Sequence, residues 1–209
     1  MSAALAHHRT DAMPPTLRRR CRRGCAIALA ALAVLATAPA RGATYRFDAL
    51  HSYVHFEVVH FGTSTIRGRF GPLQGSAELD REAGTGRVQL RIPTAGVSTG
   101  APVFDKRLRE PDLLASEAHP EAYFVAERFV FDGPRVRELR GEFTLRGTSR
   151  PLTLTAQRFD CYTSPVYRRE VCGGDFSAEF DRSDFGIGYG LPLIADRVRL
   201  LIQVEAIRD

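Results

Sequence analysis

Val54-His55-Phe56-Glu57-Val58-Val59-His60 sets apolar and polar side chains in alternation from its first residue. In an extended chain successive side chains point to opposite faces, so Val54, Phe56 and Val58 share one side while His55, Glu57 and Val59 share the other. That is the pattern of a half-buried strand. The same beat returns outward from it. Val88, Leu90 and Ile92 alternate with Gln89 and Arg91, Phe143 and Leu145 with Thr144 and Arg146, and Leu152 and Leu154 with Thr153 and Thr155. Phe176, Ala178 and Phe180 precede a last run of Val198, Leu200, Ile202, Val204 and Ala206. Turn signals separate the runs: Gly71-Pro72, Gly84-Thr85-Gly86, Asp132-Gly133-Pro134 and Gly173-Gly174.

One segment breaks the rhythm. Between Val103 and Ser116, Phe104, Leu108 and Leu113-Leu114 follow helical spacing, and Pro102 and Pro111 suit first helical turns, which predicts one or two short helices near residues 103–116. About eight strands with one apolar face each, plus this insert, describe an all-β domain: a β-sandwich or a closed eight-stranded antiparallel barrel. Closure removes the exposed edges that such long runs would leave. A barrel of this size is either filled by its own side chains or holds one ligand, and periodicity does not separate the two.

The first forty residues belong to a different kind of segment. Arg18-Arg19-Arg20-Cys21-Arg22-Arg23 precedes an apolar run from Ala26 to Ala36, and Ala38-Pro39-Ala40 follows as a small-x-small cleavage site. This order is that of a cleaved secretory signal peptide over residues 1–40, cut at 40/41 or within three residues. The run is shorter than the roughly 20 apolar residues that span a bilayer. Consecutive arginines leave both the general and the twin-arginine export routes open, while Cys21 and Cys25 lie at the wrong end of the run for a lipid anchor. The mature protein is therefore expected in the periplasm.

Export changes the charge argument. Of 29 basic and 24 acidic residues, six arginines and one aspartate lie in residues 1–40, which leaves 23 of each in the remainder. The basic pI of the whole chain belongs to the leader, and a nucleic-acid partner is not expected. Two of the four cysteines leave with it. Cys161 and Cys172 remain as an even pair in an oxidising compartment, the setting of a structural disulfide.

Several constellations invite chemistry and lose it on geometry. His51 and His55 would stand roughly 13 Å apart along a strand, whereas a zinc ion holds its ligands at about 2 Å; His60 has the opposite parity. The expectation is that His51 serves a turn and that His60 has a bonded ring nitrogen at a barrel end. Gly96-Val97-Ser98-Thr99-Gly100 matches the nucleophile-elbow pattern, with Asp112 and His119 following in hydrolase order. That motif needs a strand turning into a helix on a parallel sheet, and Pro93 and Pro102 interrupt both sides. Asp181 and Asp184, around Arg182-Ser183, read as a capping or salt-bridge network. Arg67, Arg69 and Arg109 are candidates to meet an anionic head group.

The order of motifs adds a resemblance. Asp48-x2-His51-Ser52-x-Val54-x-Phe56-x-Val58-x-His60-Phe61-Gly62, then Gly68-x-Phe70, resembles the opening of the YceI-like family of exported lipid-binding proteins. The likeness continues through Val97-Ser98-Thr99-Gly100, Leu108-Arg109-x-Pro111-Asp112-Leu113-Leu114 and His119-Pro120-x-Ala122-x-Phe124. Gly141-x-Phe143-Thr144-Leu145-x-Gly147-Thr148-x-x-Pro151-Leu152 and Arg182-Ser183-Asp184-Phe185-Gly186 complete it, so that it spans residues 44–209. The Cys161–Cys172 loop stands apart from the family pattern.

This resemblance implies a lipocalin-like eight-stranded antiparallel barrel whose apolar interior holds a long polyisoprenoid lipid, an isoprenoid quinone or a polyprenyl chain. It implies no catalytic group, metal or cofactor. The candidate lining is Phe47, Val54, Phe56, Val58, Phe70, Phe124, Phe143, Leu145, Phe176, Phe180, Leu200 and Ile202. The expected partners are the lipid and, transiently, a membrane or a quinone-linked membrane protein; the oligomeric state, a dimer included, stays open. Two competing readings are a small secreted esterase using Ser98 and a ligand-free structural or stress protein with a filled barrel.

Overall fold

The computed structural model describes residues 42–209, so the signal-peptide expectation lies outside the described residues. Ten strands follow in chain order: β1 (Ala43–Phe47), β2 (Tyr53–His60), β3 (Ser64–Phe70), β4 (Gln74–Asp80), β5 (Thr85–Pro93), β6 (Glu121–Asp132), β7 (Arg135–Leu145), β8 (Thr148–Thr163), β9 (Glu170–Asp181) and β10 (Ile194–Arg208). All pair antiparallel in the order β1-β4-β5-β6-β7-β8-β9-β10-β2-β3, and β1 also pairs with β10.

That second pairing closes the barrel. β10 holds β2 along Ile194–Gln203 and β1 along Ala206–Arg208, on the same edge. Thus β1 and β2 are two pieces of one strand position, broken by residues 48–52, and β3 and β4 are two pieces of the next, broken at Gly71-Pro72-Leu73. Ten strands therefore fill eight positions, a closed barrel, which is one of the two architectures the alternation allows and the one the resemblance implies.

The break at 48–52 is stitched to β10. The Asp48 N–H donates to the Glu205 carbonyl at 2.8 Å, the buried Ser52 hydroxyl to the same carbonyl at 3.0 Å, and the Glu205 N–H returns a bond to Ser52 Oγ at 3.2 Å. Closure is thinner beside β3, whose outer edge carries a single bridge among the described residues: Arg69 N–H to Ser98 O at 2.8 Å and Ser98 N–H to Arg69 O at 2.9 Å.

Residues 94–120 connect β5 to β6 across one barrel end. The helix here, α1 (Pro102–Leu108), is shorter than the segment predicted for it. Proline at its first turn suits the missing donor, but Pro111 disfavours helical geometry at Glu110. The chain instead turns, with Leu114 N–H bonding back to Leu108 O at 2.9 Å. Apart from a single 3₁₀ turn at Thr94–Gly96, a second helix is not formed between residues 94 and 120 among the described residues. At the opposite barrel end Cys161 and Cys172 face each other across β8 and β9 and are joined as a disulfide, as expected.

Candidate functional site

The inward residues of the alternating strands do not fill the barrel. Toward the end covered by residues 94–120 lies a chamber of about 130 Å³. One water needs only roughly 10–15 Å³ on such a measure, so this is a chamber and not a packing flaw. Its exposed wall is carbon. A water there would lack the two to four polar partners that hold buried water in place, so the space suits an apolar guest.

Strand parity explains that wall. Val54, Phe56 and Val58 enter from β2, Phe70 from β3, Phe124 from β6, Phe143 and Leu145 from β7, Phe180 from β9, and Leu200 and Ile202 from β10. Gly68 makes room for one of them: a Cβ at this position would lie 2.5 Å from the Phe56 ring. At the chamber's end Phe143, Phe180 and Phe185 meet edge-to-face or tilted, with centroids 5.2–5.5 Å apart.

Beyond the level of Ile202 lies a smaller chamber of about 70 Å³, whose wall includes the two remaining candidates, Phe47 and Phe176. All twelve candidate lining residues thus face one interior space or the other. The small chamber ends at a polar cluster. The Tyr45 hydroxyl donates to Glu170 at 2.5 Å, and Glu170 pairs with Arg81 at 2.7 Å and Arg208 at 3.6 Å. Burial, followed by the Glu170 hydrogen bond and charge, pushes the Tyr45 phenol up to about 12.

Several wall residues were not singled out from sequence. Leu90, Ile92, Leu152 and Leu154 sit on runs already read as strands, and the same alternation that gave the twelve could have given these. Leu108, Leu113 and Leu114 come from the 94–120 connection, where the helical spacing read from sequence outlasts the helix and does not place them at the barrel.

Arg182 is different. It borders an apolar chamber yet is only 5% exposed. Its guanidinium donates to Ile187 O at 3.0 Å, Tyr189 O at 2.8 Å, Ala195 O at 2.9 Å and Ile194 O at 2.9 Å, tying the 187–195 segment to the turn that follows β9. Burial pulls its pKa below the ordinary arginine value. The expected salt-bridge network is therefore divided. Asp181 pairs with Arg197 at 2.7 Å, Ser183 with Asp196 at 2.6 Å, and Arg182 with carbonyls.

The other constellations are taken apart in the same way. Ser98 is exposed and its backbone is engaged with Arg69; Asp112 is held by Arg107 at 2.6 Å; no hydrogen bond joins Ser98, Asp112 and His119 among the described residues. His51 does serve the 48–52 turn, its Nδ1 2.9 Å from Asp48. His60 departs from expectation: its ring meets Phe61 edge-on at 4.5 Å, and no hydrogen bond to it is formed among the described residues. Arg67 pairs with Glu57 at 2.8 Å, Arg69 lies 4.6 Å over the Tyr53 ring, and Arg109 donates to Ala95 O at 3.3 Å, so none of the three enters a chamber. No group of three His, Cys, Asp or Glu side chains able to hold a metal occurs among the described residues.

A family model described as a YceI-like domain matches residues 45–206. A UPF0312 protein of Pseudomonas aeruginosa (strain LESB58) is 31% identical over 182 residues, 85% of this chain and 93% of the relative. Protein YceI of Escherichia coli O157:H7 is 28% identical over 170 residues, 80% of this chain and 88% of the relative. Among solved structures, Burkholderia cenocepacia BcnA superposes with a TM-score of 0.64 at 18% identity, covering 76% of this chain and 98% of BcnA. A polyisoprenoid binding domain from Saccharophagus degradans implicated in plant cell wall breakdown superposes at 0.57 and 18% identity, over 79% of this chain and 98% of the domain. At these identities the two structures establish a common fold.

Proposed function

The chain belongs to the YceI-like domain family, and on that premise we propose that it is a periplasmic binding or carrier protein for a long polyisoprenoid lipid. The observation that carries this reading is the carbon-walled chamber inside the barrel, which offers no partner to a polar guest. Each methylene-sized group moved from water into such a chamber contributes roughly 0.8 kcal/mol, so a chain insoluble in water is the guest that gains most. The polyisoprenoid binding named for the Saccharophagus domain supports the same class of ligand on the same fold.

Binding, not catalysis, is the activity read here, because the two polar residues of the wall, Thr94 and Arg182, turn their polar atoms to backbone carbonyls and not to the chamber. The periplasmic assignment rests on the leader reading of residues 1–40 and agrees with a disulfide that needs an oxidising compartment. Native mass spectrometry of protein recovered from the periplasm is the test. A co-purified long apolar molecule is expected. A homogeneous unliganded mass, with no uptake of an octaprenyl quinone when it is offered, would overturn the reading.

A further inference from the structure

The two chambers share four wall residues, Leu90, Phe124, Leu154 and Ile202. They come from β5, β6, β8 and β10, and so from around the barrel. Leu90 and Phe124 are direct neighbours across β5 and β6, Leu154 stands opposite Leu139 of β7, and Ile202 stands between Val54 of β2 and Phe176 of β9. A side chain that lines two spaces is the boundary between them. These four therefore form an internal constriction.

Depth along β10 places it midway. Val198, Leu200 and Ile202 line the first chamber, and Ile202, Val204 and Ala206 the second. At a strand rise of roughly 3.3 Å per residue, each half runs about 13 Å along β10. At the far end of the second chamber its wall residue Tyr45 is bonded into the Tyr45–Glu170–Arg81 cluster, and the Cys161–Cys172 disulfide joins the strands beside it. An apolar tail cannot enter through an ion-paired cluster without stripping water and partners from charges. The way in is through the constriction.

We infer that the inner chamber is a separate subsite, occupied only by the terminal part of an isoprenoid tail long enough to pass Leu90, Phe124, Leu154 and Ile202. The constriction is then the specificity element that makes affinity depend on tail length. This rests on the lipid-binding reading. Short tails stay in the outer chamber and gain nothing from the inner one. Longer tails turn the four side chains aside and bury further groups beyond them.

The test is native mass spectrometry titration of the full chain with geranyl and octaprenyl alcohols, using variants that fill only the inner chamber. Ala77 lines that chamber and not the outer one, and Ala206 does likewise. In Ala77→Leu, octaprenyl affinity is expected to fall by about tenfold or more, the loss from keeping roughly two methylene-sized groups out of apolar surroundings. Geranyl affinity is expected to stay unchanged, which also shows that the variant is folded. Ala206→Val is the second variant and should give the same split with a smaller added volume. Unchanged octaprenyl binding in both variants would overturn the subsite, as would an equal loss of both alcohols in both. Wild-type protein that takes up neither alcohol would instead overturn the lipid-binding reading, and the subsite with it.

Discussion

Replacing Arg182 by methionine keeps much of the side-chain volume and removes the whole donor fork. Four carbonyl groups then lose their partner: Ile187 O, Tyr189 O, Ala195 O and Ile194 O. The bond to Ile187 is buried and the other three are partly so. An orphaned buried acceptor costs about 1–3 kcal/mol, and each half-buried one, within reach of water, about 0.5–1 kcal/mol. Against this, the variant no longer buries a charge, whose desolvation is what lowers the Arg182 pKa. The expected net loss is about 3 kcal/mol, near the range for breaking a buried charged network. Urea unfolding should show a lower midpoint with an unchanged slope, and melting should fall by roughly 6–12 °C for a domain of this size. Arg182→Lys keeps the charge but not the planar fork, so it should recover only part of the loss. A methionine variant within about 0.5 kcal/mol of wild type would refute the claim that these four bonds hold the 187–195 segment.

Four further outcomes follow from the same structure. Changing Cys161 and Cys172 together to serine should lower stability by about 3 kcal/mol, the loop-closure value for a bridge spanning 11 positions, and reductant should do the same to wild type alone. Gly68→Ala puts a methyl group 2.5 Å from the Phe56 ring and should cost about 1–3 kcal/mol, with Phe56→Leu relieving it in the double variant. Ser98→Ala should leave lipid uptake, any ester hydrolysis and the denaturant midpoint as in wild type, since the Ser98 side chain is exposed and makes no hydrogen bond among the described residues. The Asp48–His51 pair predicts a pH window. Burial pushes the Asp48 carboxyl up, but bonds from His51, the Leu50 N–H and Tyr167 outweigh it and hold the pKa below the usual value; the Asp48 hydrogen bond and charge raise that of His51. The carboxylate's contribution fades as pH falls through its lowered pKa, and the imidazolium's fades as pH rises through its raised one. The stability difference between wild type and His51→Ala should therefore peak at roughly pH 4–6 and shrink on both sides, as read by denaturant midpoints across pH.

What could be read in advance follows a physical division. Alternation reports which face a side chain takes, so Val54, Phe56, Val58, Leu200 and Ile202 were legible as inward residues before any coordinates. It does not report depth. Phe47 and Phe176 have the same parity as the rest, yet they line the inner chamber. That ten strands would fill eight positions was equally hidden, because the break at 48–52 depends on Ser52 and Glu205 meeting across 153 residues. Arg182 left no trace in composition. Between two aspartates it reads as an ion pair, and only the return of the 187–195 segment supplies the carbonyls that bury it. Leu108, Leu113 and Leu114 escape for a third reason: their helical spacing runs past a helix that ends at Leu108, so it does not say which of them face the barrel.

Considered as a piece of cooperage, the barrel is a complete hoop at the disulfide end and a hinged stave at the other. The β2–β3 hairpin is held along one side by β10, while on its free side the Arg69–Ser98 bridge is the one backbone pairing among the described residues that ties it to the next segment. Parting that seam breaks two hydrogen bonds and leaves the ring through β1, β4 and β10 intact. Free energies of local opening run from near zero up to that of global unfolding, and a seam with two backbone bonds resists opening less than a full ladder does, the packing of Val54, Phe56 and Phe70 supplying the rest. One continuous sheet is thereby stitched unevenly, with full ladders at one end and a two-bond seam at the other.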